Sequence, residues 1–485
     1  MAPSLALAPA LAFLLGHAAS AALPPPARVG DGFGVGIHAL SVPAPELALL
    51  RRAFRAVRMD LSWPLVESAC GAYDFSAADA LLAQTRAAGL RSLVLILDYN
   101  NQKCYDGGGP SANSCNSAAC VSGFVAFARA AAQHFAAAGA AADVVLECQN
   151  EPNGMGGDSP AALAAMCRGA GVQVRAAGLR FIGPSTLQFD IPYLAAAIGF
   201  GLLEGLDAVS VHAFGAFPPE AALSNYTALA ALVAAADSDA SLVQSEAGFP
   251  SAPPPCAPAG YPGSPMALAA KFLVRTTLVA LAAGAGSLSS LYDWKDDAGN
   301  ASECDRHWGV VAADLAPKPA FLAAVALQEA LGDAGACLGL RPTTLASMAA
   351  TNDIFALAFD GGGGPTPSFA VWTTEPSCAP TAGRTPCGPP GAGANFSACL
   401  LADEGCCFDE YAGDGGPACF ARRLPASGAT FSVAPASGDA SFRLVGAFGN
   451  ALAAAHLNAS GGELTVPREL LSDGPLYVLP VAARA

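Results

Sequence analysis

The sequence predicts an α/β chain in which a (β/α)8 barrel over 30–332 is followed by a small C-terminal β-sandwich over 333–485. Three observations carry this. From Phe33 to about residue 331, eight short apolar runs alternate with Ala/Leu-rich stretches of helical length, the pattern of strand–helix units laid down in one direction. After about Gly332 the strand-like runs follow one another without helices between them, as in a sandwich. Six of the 15 cysteines crowd into 378–419, within that second region.

The eight units read in order as follows. Run 33–37 precedes a helix over 44–53, and run 56–60 precedes one over 76–88. Run 91–97 is followed, after a loop, by a helix over 121–138. The fourth run, 143–146, leads into Asn150-Glu151-Pro152-Asn153-Gly154, residue types that stop a strand and turn the chain, with a helix over 160–176 beyond it. The remaining pairs are 179–183 with 191–199, 206–212 with 219–236, 241–246 with 266–283, and 287–294 with 318–331. Short, β-branched runs of this kind are the mark of strands buried on both faces. Beyond the barrel, 354–359, 368–372, 441–445, 463–466 and 476–479 predict the sandwich.

With 39 acidic and 24 basic side chains the chain has a formal net charge of −15. Nucleic acid and anionic membrane surfaces attract basic patches, so neither is expected as a partner. An apolar run over 5–15, then small residues through Ala19-Ser20-Ala21, fits a signal peptide over 1–21. A secreted or secretory-lumen protein follows, as does disulfide rather than metal use of the cysteines. Sequons at Asn225, Asn300, Asn395 and Asn458 agree with that route. The longest later apolar stretch, 266–283, contains Lys271 and Arg275, so no stable membrane insertion is expected. The odd cysteine count leaves at least one thiol free, and Cys148, beside the first acid on an apolar strand, is the candidate. Cys104, Cys115 and Cys120 suggest a stapled rim loop over 103–120 with Tyr105 as a substrate contact, and Cys256 and Cys304 a further pair.

A carboxyl where a strand gives way to a loop is where barrels keep their chemistry. Glu151 ends the fourth run and Glu246, in Gln244-Ser245-Glu246, the seventh. Retaining hydrolysis of a glycosidic bond takes two such acids roughly 5 Å apart, one donating a proton and one attacking. A lone strand-end glutamate is more often a surface residue; a pair on these two strands points to catalysis. Arg58 either serves that pair or merely ion-pairs Asp60 or Asp98. His212 is a site group or a wall residue, and Trp294 a sugar platform or barrel-top packing. Asp98 and Asn100 reach substrate or make a turn. No cysteine–histidine cluster has metal spacing, and neither metal nor organic cofactor is expected.

Asn150-Glu151-Pro152 together with Glu246 resembles clan A glycoside hydrolases, the group containing families 5 and 39, over most of 33–330. The resemblance implies Glu151 as acid/base, Glu246 as nucleophile and Asn150 as the ligand of the sugar 2-hydroxyl. It further implies Arg58 as the arginine keeping the nucleophile ionised, and Trp294 as the eighth-strand stacking residue. His212 matches a sixth-strand His-x-Tyr pattern whose tyrosine is here Phe214, so a hydroxyl near the nucleophile is missing.

In the cysteine cluster, Gly405-Cys406-Cys407-Phe408-Asp409, Arg384 ahead of Cys387 and the closing Cys419-Phe420 resemble a trefoil, or P-type, domain over 377–421. That resemblance implies Cys378–Cys407, Cys387–Cys406 and Cys399–Cys419, crosslinks a module too small for its own core would need. Trefoils bind glycans in some proteins, but the usual tryptophan before the last cysteine is Ala418 here, which weakens a sugar groove. The expectation is therefore a secreted retaining glycosidase acting on a β-linked poly- or oligosaccharide. The rival is an inactive barrel that serves with its trefoil as a glycan-binding protein.

Overall fold

In the computed structural model, residue 23 and residues 27–334 are described apart from 216–217, 252–265 and 298–302. Beyond 334 the described residues are the strands named below with 446–449, 470, 474, 475 and 481. The leader, Cys256, and most of the cysteine-rich segment with its implied pairings lie outside them.

Eight parallel strands close a barrel in sequence order: β1 (Phe33–Gly36), β2 (Ala56–Ser62), β3 (Ser92–Asp98), β4 (Val144–Cys148), β5 (Arg180–Leu187), β6 (Ala208–His212), β7 (Ser241–Glu246) and β8 (Ser289–Leu291). Around them run α1 (Ala44–Ala53), the single turn α2 (Trp63–Val66), α3 (Ser76–Ala87), α4 (Ala118–Ala137), α5 (Pro160–Ala176), α6 (Ile191–Gly199), α7 (Ala222–Ala235), α8 (Met266–Ala282) and α9 (Pro319–Leu331). Local chemistry starts several of these helices. The Ser117 and Ser159 hydroxyls accept from the backbone N–H groups of Cys120 and Ala162, and Asp190 accepts from Tyr193 N. Proline at the first turn of α5 and α6 supplies the fixed φ that a helix start needs. Among the described residues no helix is long and apolar enough to cross a membrane.

Successive side chains on a strand alternate between lumen and helix layer. Ala56, Val94, Ile182, Ala208, Val243 and Leu288 form an apolar floor inside the barrel. Two residues above Ala56, Val145 and Ala208 stand Arg58, Glu147 and Ser210, so the lumen turns polar toward the C-terminal ends of the strands. The opposite parity faces the helices. Cys148 is bonded to Cys167 on α5, which corrects the expectation of a free thiol there: its outward side chain meets the buried face of the helix. Cys70–Cys104 and Cys115–Cys120 staple the rim loop after β3.

That loop is also held by Asp158, whose Oδ1 accepts from Cys115 N at 2.6 Å. Burial pushes this carboxyl up to about 6, against the opposing pull of that hydrogen bond. A raised folded-state value means that the folded chain holds the proton more tightly than the unfolded one. The associated stability is therefore full below about pH 4 and lost as pH rises through about 6, a change of about 3 kcal/mol at about 1.4 per unit. Urea midpoints at pH 4.5 and 7.5 check this, because Asp158→Asn should flatten the parent's decline; identical slopes would refute it.

The C-terminal part is a six-stranded antiparallel sheet in the order β18 (Ala451–Asn458), β17 (Ser441–Val445), β20 (Leu476–Pro480), β11 (Gly364–Thr373), β10 (Ile354–Gly361), β9 (Cys337–Leu340). A two-stranded ribbon, β16 (Ala429–Ser432) with β19 (Glu463–Val466), accompanies it. Alternation separates the two faces of the sheet. Ala356, Ala358, Phe369, Val371, Leu476 and Val478 pack with Leu464 and Val466 of the ribbon. Leu357, Phe359, Ala370, Trp372, Tyr477 and Leu479 join the core of the barrel. Within the cysteine-rich insert, β12 (Cys378–Ala379) pairs with β15 (Ala421–Arg422), and β13 (Phe408–Asp409) with β14 (Ala418–Cys419).

Candidate active site

The site lies at the C-terminal mouth of the barrel and is centred on Arg58, 3% exposed. Its Nε donates to Glu147 Oε2 at 2.6 Å, Nη1 to Glu246 Oε1, and Nη2 to Asn150 Oδ1 at 3.1 Å. Nη2 also lies 3.3 Å from His212 Nε2. Burial alone would lower the guanidinium, but Glu147 and Glu246 outweigh it and hold the cation firmly protonated. Arg58 thus bonds neither Asp60 nor Asp98, the plainer alternative its sequence position allowed.

Glu246 reaches this point through an irregularity in β7. Val211 pairs with Gln244, yet the next residue, His212, pairs with Glu246. One extra residue, Ser245, is accommodated in β7 as a bulge. Strict alternation would send Glu246 to the helix layer, where Gln244 accepts from Tyr226 OH of α7. The bulge turns it inward onto Arg58 instead.

Glu151 is placed by backbone strain. Gln149, Glu151 and Ser185 have φ of 59°, 46° and 42°, a region that non-glycine residues enter at a cost. They hold one another: Glu151 N donates to Ser185 O at 3.0 Å, and Ser185 Oγ to Gln149 O at 2.6 Å. Downstream, Asn153 accepts from Leu187 N and donates to Leu187 O, locking the β4 turn to the end of β5. The outcome is a carboxylate whose Oε1 lies 2.9 Å from His212 Nδ1, while the same nitrogen lies 3.5 Å from Glu246 Oε2. One oxygen of each glutamate and a ring nitrogen of His212 fall within 4.8 Å of one another.

Two carboxylates and an imidazole are also donors a transition metal accepts. Here the Arg58 cation is bonded to one of those carboxylates and touches the imidazole. The set is therefore one of charge-paired acids, with positive charge already supplied by the chain.

On the side of β1, β2, β3 and β8 lies a second group. Asn150 Nδ2 donates to Tyr99 OH at 2.9 Å. Asp98 is fully buried with neither carboxyl oxygen hydrogen-bonded; burial and then Asp60 drive it well above the usual carboxylate range, with Arg58 opposing. His38 Nε2 lies 3.0 Å from Asp293 Oδ2. Burial raises Asp293 to about 6, and the hydrogen bond with Asp293 raises His38. Tyr292 packs edge-on against His38, Phe214 and Trp308.

No protein-family model matches the chain, and no curated protein matches it in sequence. Solved structures do match. A family 39 glycoside hydrolase from Bacteroides cellulosilyticus WH2 superposes with a TM-score of 0.64 at 18% identity, covering 94% of this chain and 81% of that one. A glucosidase from Croceicoccus marinus gives 0.58 at 14% identity, covering 96% and 98%. A family 30 endoxylanase from Clostridium papyrosolvens C71 gives 0.57 at 11% identity, covering 93% and 96%. The likeness is one of fold.

Of the residues singled out in the sequence, Glu151, Glu246, Asn150, Arg58 and His212 converge within hydrogen-bonding reach of one another. Trp294 does not join them. It is 3% exposed, its Nε1 donates to Glu46 Oε1 at 2.7 Å and its ring packs edge-on against Phe321, so it offers no face to a ligand. The eighth strand ends at Leu291, and Tyr292 therefore takes the position at its mouth. Tyr105 likewise belongs to the rim, its hydroxyl donating to Glu67 and its ring lying 5.0 Å from Trp63. Two residues escaped sequence reasoning. Glu147 was legible as a charge inside an otherwise apolar run at the lumen parity, and Tyr292 as the first aromatic after β8.

Proposed function

We infer that the chain is a secreted retaining glycoside hydrolase acting on a β-linked poly- or oligosaccharide. The observation that carries this is the pair of carboxylates at the ends of β4 and β7, with oxygens within 4.8 Å and Arg58 bonded to one of them. An inverting pair stands roughly 6.5 Å or more apart to admit a water, a retaining pair about 5 Å. Glu246, paired with a fixed cation, attacks the anomeric carbon. Glu151 gives its proton to the departing oxygen, then takes one from the water that breaks the glycosyl-enzyme ester. Asn150, positioned by Arg58 and Tyr99, binds the sugar 2-hydroxyl, and Tyr292 with Trp308 provides the aromatic wall. The fold likeness to proteins described as family 39 and family 30 glycoside hydrolases and a glucosidase supports the reaction class.

The three disulfides among the described residues support passage through an oxidising compartment. For the insert, the register Cys378↔Arg422 brings its two ends together, which supports a closed trefoil-like module on the sheet.

The test is turnover of β-linked aryl glycosides and plant or algal polysaccharides by the oxidatively folded protein, with proton NMR of the first-formed sugar. The β anomer is expected first. An α anomer would exclude double displacement, and binding without turnover would favour the lectin reading.

A further inference from the structure

The reaction scheme gives no role to Asp60, which stands two residues above Arg58 on β2 at the lumen parity, half-buried in the mouth. Arg58 commits its cation to Glu147 and Glu246, and no described residue hydrogen-bonds or ion-pairs the Asp60 carboxylate. Its neighbours are acids with oxygens to spare. Asp98, at the end of β3, is fully buried with both carboxyl oxygens unpartnered, and burial and then Asp60 oppose its ionisation. Asp293, just past β8, is 4% exposed; one oxygen meets His38 Nε2 and the other has no partner. The field of Asp60 also reaches His38, Tyr99 and Tyr292, which places it centrally in this half of the mouth.

Positive charge around the mouth is already committed. Among the described residues of the loops after β3 and β8, Lys103 donates to Ser68 O, Lys295 pairs with Glu46, Arg306 with Glu303 and Lys318 with Asp296. His38 faces Asp293. By chain order 216–217, 252–265 and 298–302 belong to the loops after β6, β7 and β8, and they contain neither lysine nor arginine. A carboxylate that accepts nothing from its own chain can accept two neighbouring sugar hydroxyls or pair with an ammonium group. A carboxylate carried by the sugar meets the opposite situation: like charge in a mouth that partly excludes water, with no spare cation to offset it.

We propose that Asp60 recognises the glycone and closes the site to acidic sugars, so that the substrate is built from neutral or amino sugars rather than uronic acids. The inference rests on the glycosidase reading for turnover, and on the charges of the mouth alone for binding.

The test uses the full chain, Asp60→Asn, and Asp60→Glu, which keeps the charge. Nitrophenyl β-glycosides of gluco, galacto and manno configuration are each compared with the uronide that differs only in its C6 carboxylate. The parent should favour the neutral member of its preferred pair by at least about 100-fold in kcat/KM. Asp60→Asn should raise KM for the neutral sugar and shrink that preference at least about tenfold, while Asp60→Glu retains it. Binding is read without turnover, by saturation-transfer NMR titration of three small branched polyols. Tris, pentaerythritol and 2,2-bis(hydroxymethyl)propionate carry positive, no and negative charge. Parent affinity should fall in that order, and Tris should lose its advantage over pentaerythritol in Asp60→Asn. A uronide turned over as well as its neutral partner, a preference or a Tris affinity unchanged in Asp60→Asn, or no Tris binding by the parent would each overturn the proposal. If no glycoside here or in the wider panel above is turned over, the glycosidase reading falls. Tris that still outbinds the anion, and loses its advantage in Asp60→Asn, would then leave the charge-selective site standing.

Discussion

Glu246→Gln is expected to lower kcat/KM for an aryl glycoside by at least about 10⁴-fold, the scale seen when a covalent nucleophile is removed. The amide keeps an oxygen for Arg58 to donate to, so folding and ground-state binding should survive. What disappears is the attacking atom, because the amide oxygen forms no stable glycosyl ester. Glu151→Gln should behave differently. With a nitrophenol-type leaving group that departs without a proton, the glycosylation step should suffer little; with an alkyl alcohol it should suffer severely. Steady-state kinetics of the two variants on the two leaving groups decide the assignment. Equal losses across all four combinations would mean that the roles given to β4 and β7 are wrong.

The second large effect is on stability. Arg275, 1% exposed on α8, donates through Nε and Nη2 to both carboxylate oxygens of Glu220, and Glu220 Oε1 also accepts from Trp372 Nε1 at 2.7 Å. The ion pair lies within the barrel, and the Trp372 hydrogen bond to it reaches β11 of the C-terminal sheet. Arg275→Met should cost about 3–5 kcal/mol, since it strands a carboxylate away from water. Pairing it with Glu220→Leu should recover much of that loss, because an apolar pair of similar volume removes both desolvation penalties. Denaturant midpoints of the two single variants and the double variant form the cycle. A single-variant cost below about 1 kcal/mol, or a double variant worse than the sum, would show that the pair is not a coupled buried ion pair.

The barrel was readable because its strands are buried, most of them carry β-branched residues, and most of its helices begin on a recognisable cap or proline. The later sheet was only partly so. β18, Ala451–Asn458, is four parts alanine in eight residues and carries no alternation to read, while β16 and β9 are four residues each. In the site, Glu151 and Glu246 stood out because they interrupt strand ends, and Arg58 because a lone cation on an apolar strand needs partners. Which partners depended on lumen parity, and sequence separations of 89 and 188 residues hide that. The platform misled because two aromatics follow β8 within four residues; only the strand's actual end, at Leu291, shows that Tyr292 faces the mouth and Trp294 the layer behind.

The bulge in β7 has a wider meaning. In a lumen with a two-residue period, a strand presents only every other side chain, so half of any sequence is invisible to chemistry. One slipped position changes the phase for whatever follows it, without altering composition, helix packing or the closed ring of strands. A barrel built this way can exchange the residue it offers its substrate by a single insertion or deletion near a strand's end. Reactivity in this chain is therefore governed by counting as much as by the identity of its side chains.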